Sequence, residues 1–538
     1  MSGTQSANVA RFLQQRVAEQ PDALALMAPR GRDASGRILY ERITFAQLHQ
    51  QSDQVAHGFV EAGIRPGMRT LLMVRPGSDL IRCCFALFKV GAVPVVIDPG
   101  MGLKNFLSCV RRTRPEALVG IPMSQVVSRV FRSAFKTVRT RINVGKGFAR
   151  WYGNQPTEGF PIARASEDDL AAILFTSGST GPPKGVCYEH GQFDAQVRLI
   201  RDTFGIEPGE VDLPMLPIFA LFNPALGMTT VVPEINPSKP AKVQPEKIVQ
   251  AIEQCGVTNS FGSPVLWKII AQHAHGKGTT LPGMRRILMA GAPVPPALVD
   301  VLQPVFPNAR LWSPYGATEC LPVSCIDGET IKSASAEKTV KGAGTCVGKA
   351  VSGVRFKIIG IQADPIPSMD ACDVLPIGEI GEIIATGPSV TKSYDGMPAA
   401  TARAKILDAE GVVWHRMGDA GYLDEFGLLW FCGRIAERVM TPDGPLYTDC
   451  CEGVFNPLPG VNRTALIGLG DSPDQVPAIV IEPDPGQHID KEQVLQVAAS
   501  NPVTDSIKNV FICQAFPVDV RHNAKIHRLD LAKRYNKG

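Results

Sequence analysis

The chain has 538 residues, 44% apolar and only 20% charged, enough to bury more than one core and too apolar for a disordered or fibrous protein. Lysine and arginine number 55 against 51 acids, a net charge of +4 that is too even to make nucleic acid the expected partner. The start lacks the basic, apolar, small-residue order of a secretory signal, and the longest apolar run, Cys83 to Ile97, is broken by Lys89. A cytoplasmic protein without a transmembrane segment is therefore expected. Thirteen cysteines with no Cys-x-x-Cys pair point to reduced, mostly buried thiols rather than a metal clamp.

In chain order, Ile43 to Ala62 carries apolar residues at helical spacing, while Thr70 to Val74 and Val93 to Ile97 read as strands. This alternation predicts an α/β unit around a buried, largely parallel sheet. The pattern resumes from Asp169 to Pro293, where the runs Ala171 to Phe175 and Ile287 to Ala290 each end in small or turn-forming residues. Parallel sheets carry their ligand loops at such carboxyl ends. Beyond Gly342, glycine-punctuated segments such as Val354 to Ile359 and Glu382 to Ala385 predict a distorted antiparallel sheet closing the large domain. A boundary at Gly433-Arg434 then leaves residues 1–433 as the large domain and 434–538 as a small one.

One segment stands apart. Residues 124–151 hold Arg129, Arg132, Lys136, Arg139, Arg141, Lys146 and Arg150 with no acid, interleaved with Val127, Val130, Phe131, Phe135 and Val138. It reads as a basic amphipathic helix or loop: either a solvated face over a packed stripe, or a docking surface for a membrane, an acidic protein or a lipid-like substrate.

The run Ala171 to Phe175 leads directly into Thr176-Ser177-Gly178-Ser179-Thr180-Gly181-Pro182-Pro183-Lys184-Gly185. Four hydroxyls, close-approach backbone amides and one cation on a turn suit a polyphosphate, because glycine lets main-chain N–H groups converge on oxyanions. The string is not a P-loop: its first two glycines are too close together and Gly185, not a hydroxyl residue, follows the lysine. The stretch Gly342 to Lys349 is a near miss, and reads as a turn between strands.

This ten-residue string resembles the phosphate loop of the adenylate-forming superfamily of acyl-CoA synthetases, adenylation domains and luciferases, and further family motifs appear in order. Tyr315-Gly316-Ala317-Thr318-Glu319 is similar to the box whose tyrosine stacks on adenine, whose threonine meets the α-phosphate and whose glutamate holds Mg2+. Gly291-Ala292-Pro293 resembles the segment lining the adenine pocket. Asp419, in His415-Arg416-Met417-Gly418-Asp419, matches the ribose-binding aspartate although Met417 replaces the usual threonine, and Arg434 matches the second ribose contact. The usual hinge residue falls at Ala436, next to Glu437. Lys525, followed by Arg528, matches the C-terminal lysine that bridges the substrate carboxylate and the α-phosphate.

The resemblance therefore implies an ATP- and Mg2+-using enzyme with Lys525, Thr318, Glu319 and Lys184 as catalytic residues. It also implies a fold of α/β subdomains plus a distorted β-barrel, followed by a small mobile α+β domain. Its acyl pocket would be flanked by Phe219, Phe222, Phe261 and Leu321.

The acceptor of the acyl group is less plain. Ala220 stands where CoA ligases carry histidine or an aromatic residue, and Thr441-Pro-Asp-Gly-Pro445 replaces their basic turn. Val96 to Gly102, Ser313 to Ser324 and Asp449 to Phe455 instead resemble the β-lactone synthetases of the bacterial long-chain olefin pathway. That likeness implies activation of a long-chain 2-alkyl-3-hydroxy fatty acid, then attack by its own 3-hydroxyl; a nucleophile in the same molecule already has a high effective concentration. It also implies as partners the olefin-pathway reductase and the α/β-hydrolase-like decarboxylase. A fatty acyl-CoA or acyl-AMP ligase is the alternative, and a non-catalytic nucleotide-binding scaffold a remote one. His190, His415 and His527 are candidates for the base that removes the hydroxyl proton.

Overall fold

The computed structural model describes residues 6–176, 181–236, 242–519 and 525–536. Its first sheet has six strands in the order Thr140–Asn143, Ala117–Gly120, Arg69–Met73, Val93–Val96, Leu170–Phe175 and Gly185–Glu189; all are parallel except the last. The expected helix over 43–62 is Phe45–Glu61, opened by a reciprocal capping box between Thr44 and Gln47. Helix Ser78–Val90 packs beside it and stops at Gly91, whose φ of 76° is left-handed.

Lys89, which breaks the apolar run in the sequence, clasps these two helices together. Its buried Nζ donates to Asp53 Oδ1 at 2.6 Å, Ser52 Oγ at 2.7 Å and the His49 carbonyl at 3.0 Å. A buried ammonium is tolerated when it is paired and hydrogen-bonded in this way.

The second sheet starts as a parallel α/β layer that includes Leu24–Arg32, Asn259–Gly262, Arg286–Met289 and Arg310–Ala317. It continues without a break into antiparallel strands: Cys320–Asp327, Thr345–Ala350, Leu429–Arg434, Val413–Leu423, Gly381–Thr386 and Arg355–Ile359. From Val439 onward the chain packs around cores of its own, built on helix Thr448–Phe455 and on the three strands Val461–Leu469, Val476–Pro483 and Asn509–Ile512. Gly342 ends a helical stretch, Thr339–Ala343, rather than forming a turn between strands; its φ is 95°, and a Cβ there would sit 2.8 Å from Val503.

The basic segment is not one amphipathic helix. Helix Pro122–Val130 is followed by turns, the edge strand Thr140–Asn143 and the short helix Phe148–Gly153. Phe135 and Val138 are buried, as a packed stripe requires, but Val130 is not. Among the described residues no helix is long and apolar enough to cross a membrane.

Candidate active site

Strands Leu170–Phe175 and Gly185–Glu189 pair with Phe175 opposite Gly185, so the glycine-rich string spans the end of a hairpin. The Thr176 amide donates to the Lys184 carbonyl at 3.0 Å and closes its base. Gly185 lies tight on Phe175, where a Cβ would come within 2.9 Å of the ring. Gly181 is exposed, while Ser177, Gly178, Ser179 and Thr180 lie outside the described residues.

Lys184 reaches from this hairpin to the Tyr394 ring, with Nζ 4.9 Å from its centroid, and the Tyr394 hydroxyl donates to Glu319 Oε1 at 2.7 Å. Glu319 is buried at the end of strand Arg310–Ala317. Its carbonyl accepts from the Thr391 amide at 2.9 Å, and the neighbouring Thr318 carbonyl accepts from the Tyr188 hydroxyl. Lys405 Nζ lies 3.4 Å from Thr391 Oγ1; burial lowers its pKa to about 8, against the pull of Glu319. Tyr394, Thr391, Tyr188 and Lys405 were not legible as site residues. The segment carrying Tyr394 matters because it lies along Gly185–Glu189, with the Asp395 amide donating to the Gly185 carbonyl at 2.7 Å, and local sequence does not encode that neighbour.

A second buried carboxylate, Asp419, follows Gly418, whose φ of 68° is left-handed. Tyr315, the aromatic residue of the Tyr-Gly-Ala-Thr-Glu box, donates its hydroxyl to Asp419 Oδ2 at 2.5 Å. Arg434 Nη1 lies 3.0 Å from Oδ1, yet Oδ1 accepts no aligned hydrogen bond and keeps acceptor capacity for another donor. Burial raises the Asp419 pKa, opposed by Arg434, the Tyr315 hydroxyl and Lys525. Lys525 is therefore close enough to favour the ionised carboxylate, although it arrives from the C-terminal end of the chain. It sits on a reciprocal bridge, its amide donating to Asp519 Oδ1 at 3.2 Å and its carbonyl accepting from the Asp519 amide at 2.9 Å. Three residues on, Arg528 forks onto Glu452 at 2.7 and 2.6 Å and reaches Glu437 at 2.9 Å.

Gly291 turns left-handed (φ 93°) directly after strand Arg286–Met289, with Ala292 half-buried and Pro293 exposed beyond it. Phe219 stacks on Phe261 with centroids 3.8 Å apart and lies 6.2 Å from Phe222. These three rings join one apolar cluster that also touches Ala290. Leu321 lies apart from that cluster, against the turn at Gly316. Of the histidines, His190 Nδ1 accepts from the Val9 amide at 3.2 Å, and burial lowers its pKa to about 4. His415 is buried beside Lys405 and Lys184, which with burial depress its pKa well below the usual value, and both are thereby poor bases. His527 caps the last helix, Arg528–Tyr535.

Glu319 follows strand Arg310–Ala317 and Asp419 lies within strand Val413–Leu423 of the same sheet; Lys184, Lys405, Arg434 and Lys525 surround them, with Glu437 matched by Arg528. Among the described residues, four cations against two carboxylates make a site short of negative charge, which suits an anion of several charges. Residues 13–395 match the AMP-binding enzyme family, and the chain belongs to that family. It is 43% identical to the olefin beta-lactone synthetase of Xanthomonas campestris pv. campestris, over 98% of this chain and 97% of that protein. The olefin beta-lactone synthetase of Stenotrophomonas maltophilia is also 43% identical, with the same coverage. ATP-bound MatB from Rhodopseudomonas palustris shares the fold, with a TM-score of 0.82 at 21% identity over 99% of both chains.

Proposed function

We propose that this chain uses ATP to convert a long-chain 2-alkyl-3-hydroxy fatty acid to its acyl-adenylate and then closes the β-lactone, releasing AMP. The observation that carries the first step is the excess of cations around Glu319 and Asp419. A carboxylate oxygen must attack the α-phosphorus while the bond to the β-phosphate breaks, so two anions are brought together. Fixed cations offset their repulsion and stabilise the charge that builds at phosphorus. In this reading Thr176 to Lys184 and Thr318 hold the phosphates, Asp419 and Arg434 the ribose, and Gly291 to Pro293 with Tyr315 and Gly316 the adenine. The free acceptor capacity of Asp419 Oδ1 suits a ribose hydroxyl. Lys525 bridges the two reacting anions. Glu319, a single buried carboxylate, would hold Mg2+, which would supply further charge neutralisation.

The second step breaks the acyl–phosphate bond as the 3-hydroxyl oxygen attacks the acyl carbon, and the hydroxyl proton passes to the departing phosphate. Support for it comes from the full-length likeness to the two lactone synthetases and from Ala220, a buried methyl where CoA ligases place a larger side chain. We take residues 434–538 as a separate small domain that delivers Lys525. A reductive step that supplies the 3-hydroxy acid and a decarboxylating step that consumes the lactone are the partner activities this chemistry calls for.

The test is incubation with ATP, Mg2+ and a long-chain 2-alkyl-3-hydroxy acid, with and without CoA, and product identification by mass and NMR. Lactone and AMP in both arms are expected. A thioester formed only when CoA is present overturns the lactone step in favour of a CoA ligase.

A further inference from the structure

Helix Pro122–Val130 is built inside out. Its inner face is mostly polar: Ser124 is 2% exposed, Gln125 5% and Ser128 0%, with Val127 half-buried beside them. Its outer face is apolar: Met123 is 66% exposed, Val126 53% and Val130 67%. At 100° per residue these three fall on one stripe, one to two turns apart. The inversion has a local cause. Gln125 Nε2 donates to the Gly120 and Ile142 carbonyls at 3.3 and 2.8 Å, and Ser124 Oγ to the Ile121 carbonyl at 2.7 Å, so the inner face binds the backbone at the sheet edge. Gly120 leaves room for Ser124, since a Cβ there would lie 2.3 Å from its Oγ.

A surface helix normally turns its apolar stripe to the core, so three exposed apolar side chains in a row call for an apolar phase outside. The surroundings indicate which one. Arg129, Arg132, Lys136, Arg139, Arg141, Lys146 and Arg150 are all exposed, and no acid lies between Glu116 and Glu158. We infer that helix Pro122–Val130 docks this protein reversibly on an anionic lipid surface, with Met123, Val126 and Val130 entering the headgroup boundary and the seven cations resting on the phosphates.

A second copy of the chain does not fit, because a two-fold contact through this patch sets like charges against each other. Three apolar side chains alone give weak binding, and stable attachment needs the second, electrostatic signal. Each basic side chain at an anionic surface adds about fivefold, an effect that falls away within a Debye length.

The inference is independent of the lactone step and is tested on the full chain by sedimentation with vesicles of phosphatidylcholine alone, or with about 30% phosphatidylglycerol, at low and high salt. Binding to the anionic vesicles is expected, at least about tenfold weaker to the neutral ones and lost in high salt. A Met123→Ser, Val126→Ser, Val130→Ser triple variant is expected to lose at least about tenfold of that binding while keeping wild-type ATP turnover on a short soluble 3-hydroxy acid and wild-type thermal stability. Arg129→Gln with Arg132→Gln and Lys136→Gln is expected to weaken it further with each change. Failure of the wild type to bind the anionic vesicles, or unchanged binding by the triple serine variant, overturns the inference; the latter would mean adventitious attraction of charge only.

Discussion

The two buried carboxylates of the site are held in contrasting ways. Glu319 is fixed within the two large sheets: Tyr394 donates to it, Thr391 holds its backbone, and Lys184 and Lys405 flank it. Asp419 is gripped on one oxygen by Tyr315, has an unaligned guanidinium on the other, and takes part of its charge compensation from Lys525 near the end of the chain. One half is prebuilt and the other is completed from a distance. On the proposed function, the contrast would make phosphate binding and reaction separable, with the Glu319 side able to take a ligand before Lys525 completes the Asp419 side.

The largest effect expected from breaking this contrast is that of Lys525→Ala, which should lower pyrophosphate release by about a thousandfold or more while leaving ATP binding within a few-fold. Equal losses in both would show that Lys525 belongs to the prebuilt half. Glu319→Gln should reduce pyrophosphate release by about a hundredfold and also raise the Mg2+ concentration needed for half-maximal rate; a rate loss that leaves the Mg2+ dependence unmoved would argue against the metal role. Tyr394→Phe removes one hydrogen bond to a charged group, worth about 1.5–3 kcal/mol, and should cost roughly tenfold in turnover. If turnover is unchanged, Glu319 is held by its other neighbours alone.

The smallest effect concerns pH. Burial lowers the Lys405 pKa from 10.5 to about 8 in the folded protein. Between those values the unfolded chain binds more protons than the folded one, so stability rises with pH across that window, by on the order of 3 kcal/mol. Denaturant titrations at several pH values should show a steeper rise in the wild type than in Lys405→Met, which keeps the contribution of Lys89, also lowered to about 8. Equal slopes in the two proteins would remove Lys405 as a cause of the rise.

What the sequence made legible follows the same divide. Strand-to-loop transitions at Phe175 and Met289, and the box from Tyr315 to Glu319, were readable because each is a contiguous string of residues, even where its partners lie far away. Tyr394 and Lys405 were not, since each gains its meaning only from residues distant in the sequence: Tyr394 from Val186 and Glu319, Lys405 from Thr391 and Glu319. The helix after Ile121 was misleading for a related reason. Val130 reads in the sequence as part of a packed stripe with Val127, Phe131, Phe135 and Val138, and the carbonyl groups of Gly120 and Ile142 explain why polar side chains of this helix face in while Val130 faces out. Lys89 read as an interruption of an apolar run and is a clasp between helices.

Arg528 has a practical consequence. Its guanidinium ties the last helix both to Glu452 and to Glu437 in the turn that leaves the large sheet, so the final dozen residues act as a brace rather than a tail. Removing one partner of such a buried ion cluster costs about 3–5 kcal/mol. Deletion of the C-terminus will therefore fail through misfolding, and only point substitutions can assign chemistry to Lys525.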